Sequence, residues 1–215
     1  AKVGSLALLW AVLLGIPLGC LAAFKRGTWI DSFLRVLCTI GISMPGFVVA
    51  TLLLHTFCGG VERIKVFPAL FDGTPQSYVL PCVALGFYPM CYLSRQTRTS
   101  MLDAINQEYI KTARAKGLKN SKIIFKHALR NALIPVITYL GPQIAFTLCG
   151  GLVVETVFSI PGLGRYFVQA IQNRDYPLIM GTTIFLAAFI IIMNLLVDIC
   201  YKLVDPRINL AKGGN

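Results

Sequence analysis

The run VGSLALLWAVLLGIPLGCLAAF, Val3 to Phe24, contains no charged side chain and stops at the cationic pair Lys25 and Arg26. About 20 apolar residues in a helix cross the ~30 Å of a bilayer's hydrocarbon core. Four further windows repeat the pattern: Ile30 to Phe57, Ser77 to Leu93, Leu133 to Phe158 and Leu178 to Leu203. The third is the shortest, and Pro81, Gly86 and Pro89 interrupt it. The 215-residue chain is 56% hydrophobic and 13% charged, with a mean hydropathy of +0.70. A soluble domain of this composition would have more apolar surface than it could bury. The expected fold class is all-α, a polytopic transmembrane helical bundle with about five spans.

The net charge of +11 raises nucleic acid as a partner. Such a partner needs a basic face with stacking aromatics on a soluble domain, whereas the aromatics here sit inside the apolar runs, so no nucleic acid is expected. The seven cysteines form no Cys-x-x-Cys pair and are odd in number, which reads as small buried hydrophobes rather than a disulfide framework. His55 and His127 have no neighbouring ligand cluster, and no metal site is expected. No GxxxxGK[ST] stretch is present, so the chain has no phosphate-binding loop of its own and reads as a non-enzyme.

Fifteen of the 20 lysines and arginines fall in Lys25 to Arg35, in the long segment Ser94 to Ala132 and in the carboxy-terminal end. The excess places these segments in the cytoplasm. Five spans then put Ala1 outside and Asn215 inside. The expected organisation is one transmembrane domain over residues 1–215, amino-terminally truncated by at least one upstream span, with residues 94–132 as a cytoplasmic segment within it. Prolines in and beside the spans, Pro17, Pro45, Pro135 and Pro142 among them, suit either a moving pathway or the ordinary proline content of membrane helices.

Within the basic segment, Ser100 followed by Asp103 predicts a helix start and Gly117 predicts its stop. Leu102, Ile105, Tyr109 and Ala113 recur at intervals of three and four, giving one apolar face. A second helix is expected to start at Asn120 or Ser121, with Lys122, Lys126 and Arg130 on one stripe. The stripe suits anionic lipid. The small Ala113 and Ala115 with the terminal Gly117 suit a groove on a protein partner. Both readings stand on the residues alone.

The stretch from Tyr109 through Leu118 (YIKTARAKGL), followed by HALRNA from His127 to Ala132 and by Pro135, resembles the EAA loop of binding-protein-dependent ABC importer permeases. The variant ARAKGL followed by HALRNA is similar to the oligopeptide and dipeptide group of that family. Gly41 to Phe47, Glu155 to Gly164 (ETVFSIPGLG), Asp175-Tyr176-Pro177 and Asp205-Pro206-Arg207 extend the resemblance over nearly the whole chain.

The resemblance implies a type I importer permease fold in a bacterial inner or plasma membrane, multi-pass, with the EAA loop and the carboxy terminus cytoplasmic. It implies a coupling helix that docks on a separate ATPase, with Glu108, Tyr109, Ala113, Arg114, Ala115, Lys116, Gly117 and Leu118 as contact residues. It also implies an external gate, or face for the binding protein, at Glu155, Pro161, Gly162 and Gly164. The implied partners are a second homologous permease subunit in a heterodimer, two ABC ATPase subunits, an extracytoplasmic substrate-binding protein and the lipid bilayer. No cofactor is implied on this chain, since ATP and Mg belong to the ATPase subunits. The implied cargo is peptides or similar small solutes.

Two acidic residues have local alternatives. Glu155 can pair with Arg165 at headgroup level, and Asp198 with Lys202 one turn on. Gly150-Gly151 and Met44-Pro45-Gly46 suit close helix packing and gating alike. The rival within transport is a secondary transporter or channel driven by an ion gradient, which favours midplane acidic clusters and internal repeats. A membrane-embedded enzyme would need a nucleophile with its base, or clustered ligands. Neither pattern is visible in the sequence.

Overall fold

The computed structural model describes residues 2–58, 66–119, 123–148 and 151–204, with the side chains of 125–127, 197, 198 and 200–204 left aside. The elements in order are α1 (Lys2–Phe24), α2 (Trp29–Ser43), α3 (Gly46–Cys58), a 3₁₀ turn (Pro75–Tyr78), α4 (Val79–Ile105), α5 (Glu108–Ala115), a π-helical turn (Ile123–Ala128), α6 (Leu129–Leu148), α7 (Leu152–Val157), α8 (Leu163–Asn173) and α9 (Tyr176–Val204). No strand occurs among the described residues. Four helical stretches are long and apolar enough to cross a membrane, and the pair α2–α3 makes a fifth if it counts as one span.

The predicted span Ile30 to Phe57 is in fact two helices that meet at 105°. Pro45 has no N–H to continue the ladder, and Met44 before it takes the extended conformation (φ −79°, ψ 126°) that a following proline imposes. The third span is also corrected. Its helix runs on from Leu93 to Ile105, because Pro81 lies in the first turn and the buried Pro89 does not end it. The predicted start at Ser100 therefore falls inside α4, and the break comes at Asn106–Gln107. The second cytoplasmic helix is likewise no separate unit, since the π-helical turn runs straight into α6. Its predicted start at Asn120 or Ser121 and the Lys122 and Lys126 side chains lie outside the described residues.

Packing starts from the parallel pair α1 and α4, the most extensive helix contact in the molecule. One face of α1 is small throughout, with Gly4, Ala7, Ala11, Gly15 and Gly19 all buried. A Cβ on Gly15 would stand 2.8 Å from the Met90 carbonyl oxygen, and one on Gly19 would collide with the Ser94 carbonyl. Close backbone approach between small residues is how membrane helices gain dispersion contacts where lipid is as apolar as leucine. Trp10 Nε1 donates to the Cys82 carbonyl at 2.7 Å across the same interface.

Three core tiers follow along the bundle. One holds Ala23, Met101, Ala104, Ile110, Ala113, Ile123, Ala128 and Ala132. The middle one holds Ala11, Cys38, Met90, Cys91, Leu93 and Val136. The far one holds Ala50, Leu80, Ala84, Val154, Phe158 and Ile160. Cys38, Cys82 and Cys91 are buried, as small apolar cysteines should be.

Candidate functional site

The α5 knob is built from local signals. Gln107 takes an extended N-cap conformation (φ −74°, ψ 152°), and Glu108 supplies a negative charge to the first turn. Glu108 Oε1 accepts from Lys111 Nζ at 2.7 Å, a surface pair worth only about 0.3 kcal/mol. The helix closes in a Schellman turn: Gly117 N donates to the Arg114 carbonyl at 2.9 Å and Leu118 N to the Ala113 carbonyl at 3.3 Å. Gly117 stands at φ +70°, where a side chain opposes the backbone.

Tertiary contacts then decide which face is free. Ile110, 1% exposed, and Ala113, 7% exposed, enter the first core tier beside the ends of α1 and α4. Burying an isoleucine contributes about 2 kcal/mol, enough to hold a two-turn helix in place. Leu118 packs half-buried on the same tier. Tyr109, expected on the apolar face, is exposed instead, because Ile110 takes the inward position. Glu108, Tyr109, Arg114, Ala115, Lys116 and Gly117 thus form the outer surface, while Ala113 is turned into the chain's own core.

The other expected group lies by the far core tier, at the opposite end of the bundle. Glu155 does not pair with the Arg165 guanidinium. Its Oε2 accepts the backbone N–H groups of Gly164 at 2.8 Å and Arg165 at 3.3 Å, the first-turn amides of α8. Helix amides without an intrahelical partner and the positive end of the helix dipole hold a carboxylate well. Arg165 Nη1 donates instead to the Ser159 carbonyl at 3.0 Å.

The chain folds back on Glu155 through Ser159, at φ 53°, and the Ile160 N–H donates to the Glu155 carbonyl at 2.8 Å. Gly162 and Gly164 leave room for the carboxylate: a Cβ on Gly162 would collide with it, and one on Gly164 would come within 2.8 Å of Oε2. Glu155, Pro161 and Gly162 line one cavity of about 320 Å³ together with Phe71 and Tyr78. Gly150 and the Asp198 and Lys202 side chains lie outside the described residues.

Sequence reasoning missed Asp31. It is 1% exposed, and its carboxylate accepts from Arg98 Nε at 2.6 Å and Nη2 at 2.9 Å, and from the Gly27 N–H at 3.1 Å. Arg35 approaches the same carboxylate at 3.6 Å. The bidentate pair ties the start of α2 to the last third of α4. The sequence signal was a lone acid five residues after Arg26, but its partner stands 67 residues away.

Comparisons with known proteins address the chain as a whole. The family model described as binding-protein-dependent transport system inner membrane component matches residues 15–210. The dipeptide transport system permease protein DppB of Bacillus subtilis (strain 168) is 49% identical over 213 residues, covering 99% of this chain and 68% of the relative. DppB of Escherichia coli (strain K12) is 38% identical over 98% of this chain and 70% of the relative. The oligopeptide transport system permease protein AppB of B. subtilis is 41% identical over 92% of this chain and 65% of the relative. In three dimensions, a chain from inward-facing structures of the MetNI methionine ABC transporter superposes with a TM-score of 0.73 at 17% identity, over 95% of this chain and 92% of that one.

Proposed function

This chain belongs to the family of binding-protein-dependent transport system inner membrane components, and on that premise we propose that it is the permease subunit through which peptides enter, driven from α5 by a separate ATPase. The chain is an ABC importer permease; the ion-gradient alternative gives way to family membership. It is a transport component of the inner membrane rather than an enzyme, with ATP and Mg expected on partner subunits. Peptides are the cargo we assign, because the relatives named above are dipeptide and oligopeptide permeases.

The observation that carries the coupling role is that α5 is outwardly polar and inwardly welded. Its exposed face offers Arg114, Ala115, Lys116 and Gly117, while Ile110 and Ala113 fasten it to the tier shared with α1 and α4. A displacement of α5 would move the bundle with it. In this reading α5 lies in the cytoplasm, the Glu155 turn faces the binding protein, and a second permease subunit completes the path.

Cysteine crosslinking tests this. Ala115 is exposed and small, so Ala115→Cys leaves the core tier intact, whereas a cysteine at the buried Ala113 would not report contact. Crosslinks from the thiol introduced by Ala115→Cys to co-expressed ATPase subunits, changing with ATP, are the expected result. Crosslinks to lipid alone in every nucleotide state would make α5 a membrane anchor and end the coupling reading.

A further inference from the structure

A second polar feature lies between α2 and α4. On α2, Ser32, Arg35, Thr39 and Ser43 recur at intervals of three and four, and all four are exposed. On α4, Tyr88, Arg95 and Thr99 are exposed along one face with Tyr92 half-buried among them. The two helices run antiparallel, because Gly41 meets Phe87 and Cys91 while Asp31 meets Arg98. The two stripes therefore border one groove, which widens toward the α5 end into a cavity of about 540 Å³ lined by Arg35, Arg95 and Arg98 with Ser32, Thr39 and Thr99.

The charge of this cavity is not balanced. Asp31 is consumed by Arg98 and Arg35, and no acidic side chain lines the cavity. The guanidinium of Arg95 has no hydrogen-bond or ion-pair partner among the described residues, although it stands ten residues, about 15 Å, inside the Ile105 end of α4. An unpaired guanidinium in a spanning helix faces water or an anion, not hydrocarbon.

The wall beyond it stays polar. Tyr92 stacks on Tyr139 of α6 at 4.0 Å, Tyr139 Oη donates to Gln143 Oε1 at 2.9 Å, and Gln143 Nε2 donates to Thr147 Oγ1 at 3.0 Å. This chain of contacts starts at Tyr92, one turn from Arg95, and leads away along α6 to Thr147, outside the lining of the cavity.

We propose that the α2–α4 cavity, with Arg95 at its centre and Arg35 beside it, is a transient binding site for the carboxylate terminus of the peptide in transit. This rests on the peptide reading given above. Two guanidinium groups attract the terminal carboxylate by charge-assisted hydrogen bonds, and the Ser32, Thr39 and Thr99 hydroxyls that line the cavity take the peptide's amide groups. Val36 and Ile40 edge the cavity, so an anionic lipid headgroup is the competing occupant.

The test uses the whole transporter, with ATPase subunits, second permease and saturating binding protein, in vesicles of phosphatidylcholine alone or with phosphatidylglycerol. Import of trialanine and of its C-terminal amide is compared, each as a ratio of variant to wild type, so the binding protein's own preference cancels. Arg95→Gln should lower trialanine import about tenfold, the size of one charge-assisted hydrogen bond. Import of the amide should fall less than twofold, and Arg95→Lys should restore most of the difference. Equal falls for both peptides, no fall, or a fall confined to phosphatidylglycerol vesicles would overturn the site, the last marking a lipid headgroup there. A wild-type transporter that imports neither peptide would refute the peptide reading itself, and the carboxylate site with it.

Discussion

Asp31→Asn changes almost no volume and removes one charge from a carboxylate that is 1% exposed. Three donors converge on it, Arg98 Nε at 2.6 Å, Arg98 Nη2 at 2.9 Å and the Gly27 N–H at 3.1 Å. An asparagine whose oxygen takes the Oδ2 position keeps Arg98 Nη2 and the Gly27 N–H but turns its NH₂ toward Arg98 Nε, so that donor goes unpaired. Breaking a fully buried ion pair costs about 3–5 kcal/mol. Arg98 keeps 18% of its side chain exposed, and water recovers part of this, so the expected loss is about 2–3 kcal/mol. Arg98→Gln should cost about the same, since it leaves Asp31 charged beside only Gly27 and a distant Arg35. The double variant should lose less than the sum by about 1–3 kcal/mol. Unfolding of purified protein in detergent micelles, followed by tryptophan fluorescence with Trp29 close to the pair, measures all three. Single losses below about 0.5 kcal/mol, the range of a solvated surface pair, or strict additivity would refute the clamp.

Two further sets of variants probe the two ends. At Gly117 nothing lies within 4 Å of an added Cβ, so Gly117→Ala should cost only the left-handed backbone, about 1 kcal/mol, and Gly117→Asn less. Gly117→Asp adds a negative charge to the face assigned to the ATPase, and coupled uptake should be lost with membrane insertion intact; normal uptake by that variant would count against the docking face. At the far end, Gly162→Ala should destabilise by about 1–3 kcal/mol because its Cβ meets the Glu155 carboxylate. In a Glu155→Ala background the same substitution should be nearly neutral, and equal losses in both backgrounds in thermal unfolding would disprove the contact.

The membrane bundle was legible because hydropathy is a property of composition: each predicted span coincides with described helix over most of its length. Gly117 was legible for the opposite reason, as its signal is a single backbone position. What escaped depended on distant partners. Charge made Leu93 look like the end of a span, yet α4 runs on to Ile105, and Asp31 on another helix receives its Arg98. In the sequence Pro45 is compatible with a single span from Ile30 to Phe57, but the chain bends there and α3 packs against α4 and α7. Arg165 was the nearest cation to Glu155 in sequence, and the turn at Ser159 delivered the amides of α8 instead. Tyr109 and Ile110 are adjacent and both apolar, and only the tier formed by Met101 and Ala104 decided which one turned inward. The coupling contacts and the gate rest on resemblance, since no feature of an isolated chain records what touches it.

Because Ile110 and Ala113 share their tier with Ala23, Met101 and Ala132, α5 is packed against three of the long helices at once. Its orientation is the orientation of the bundle. In the coupling proposed above, a force applied at Arg114 or Lys116 would turn that tier as one piece, and the compliance would lie outside it, at the Met44–Pro45 break between α2 and α3.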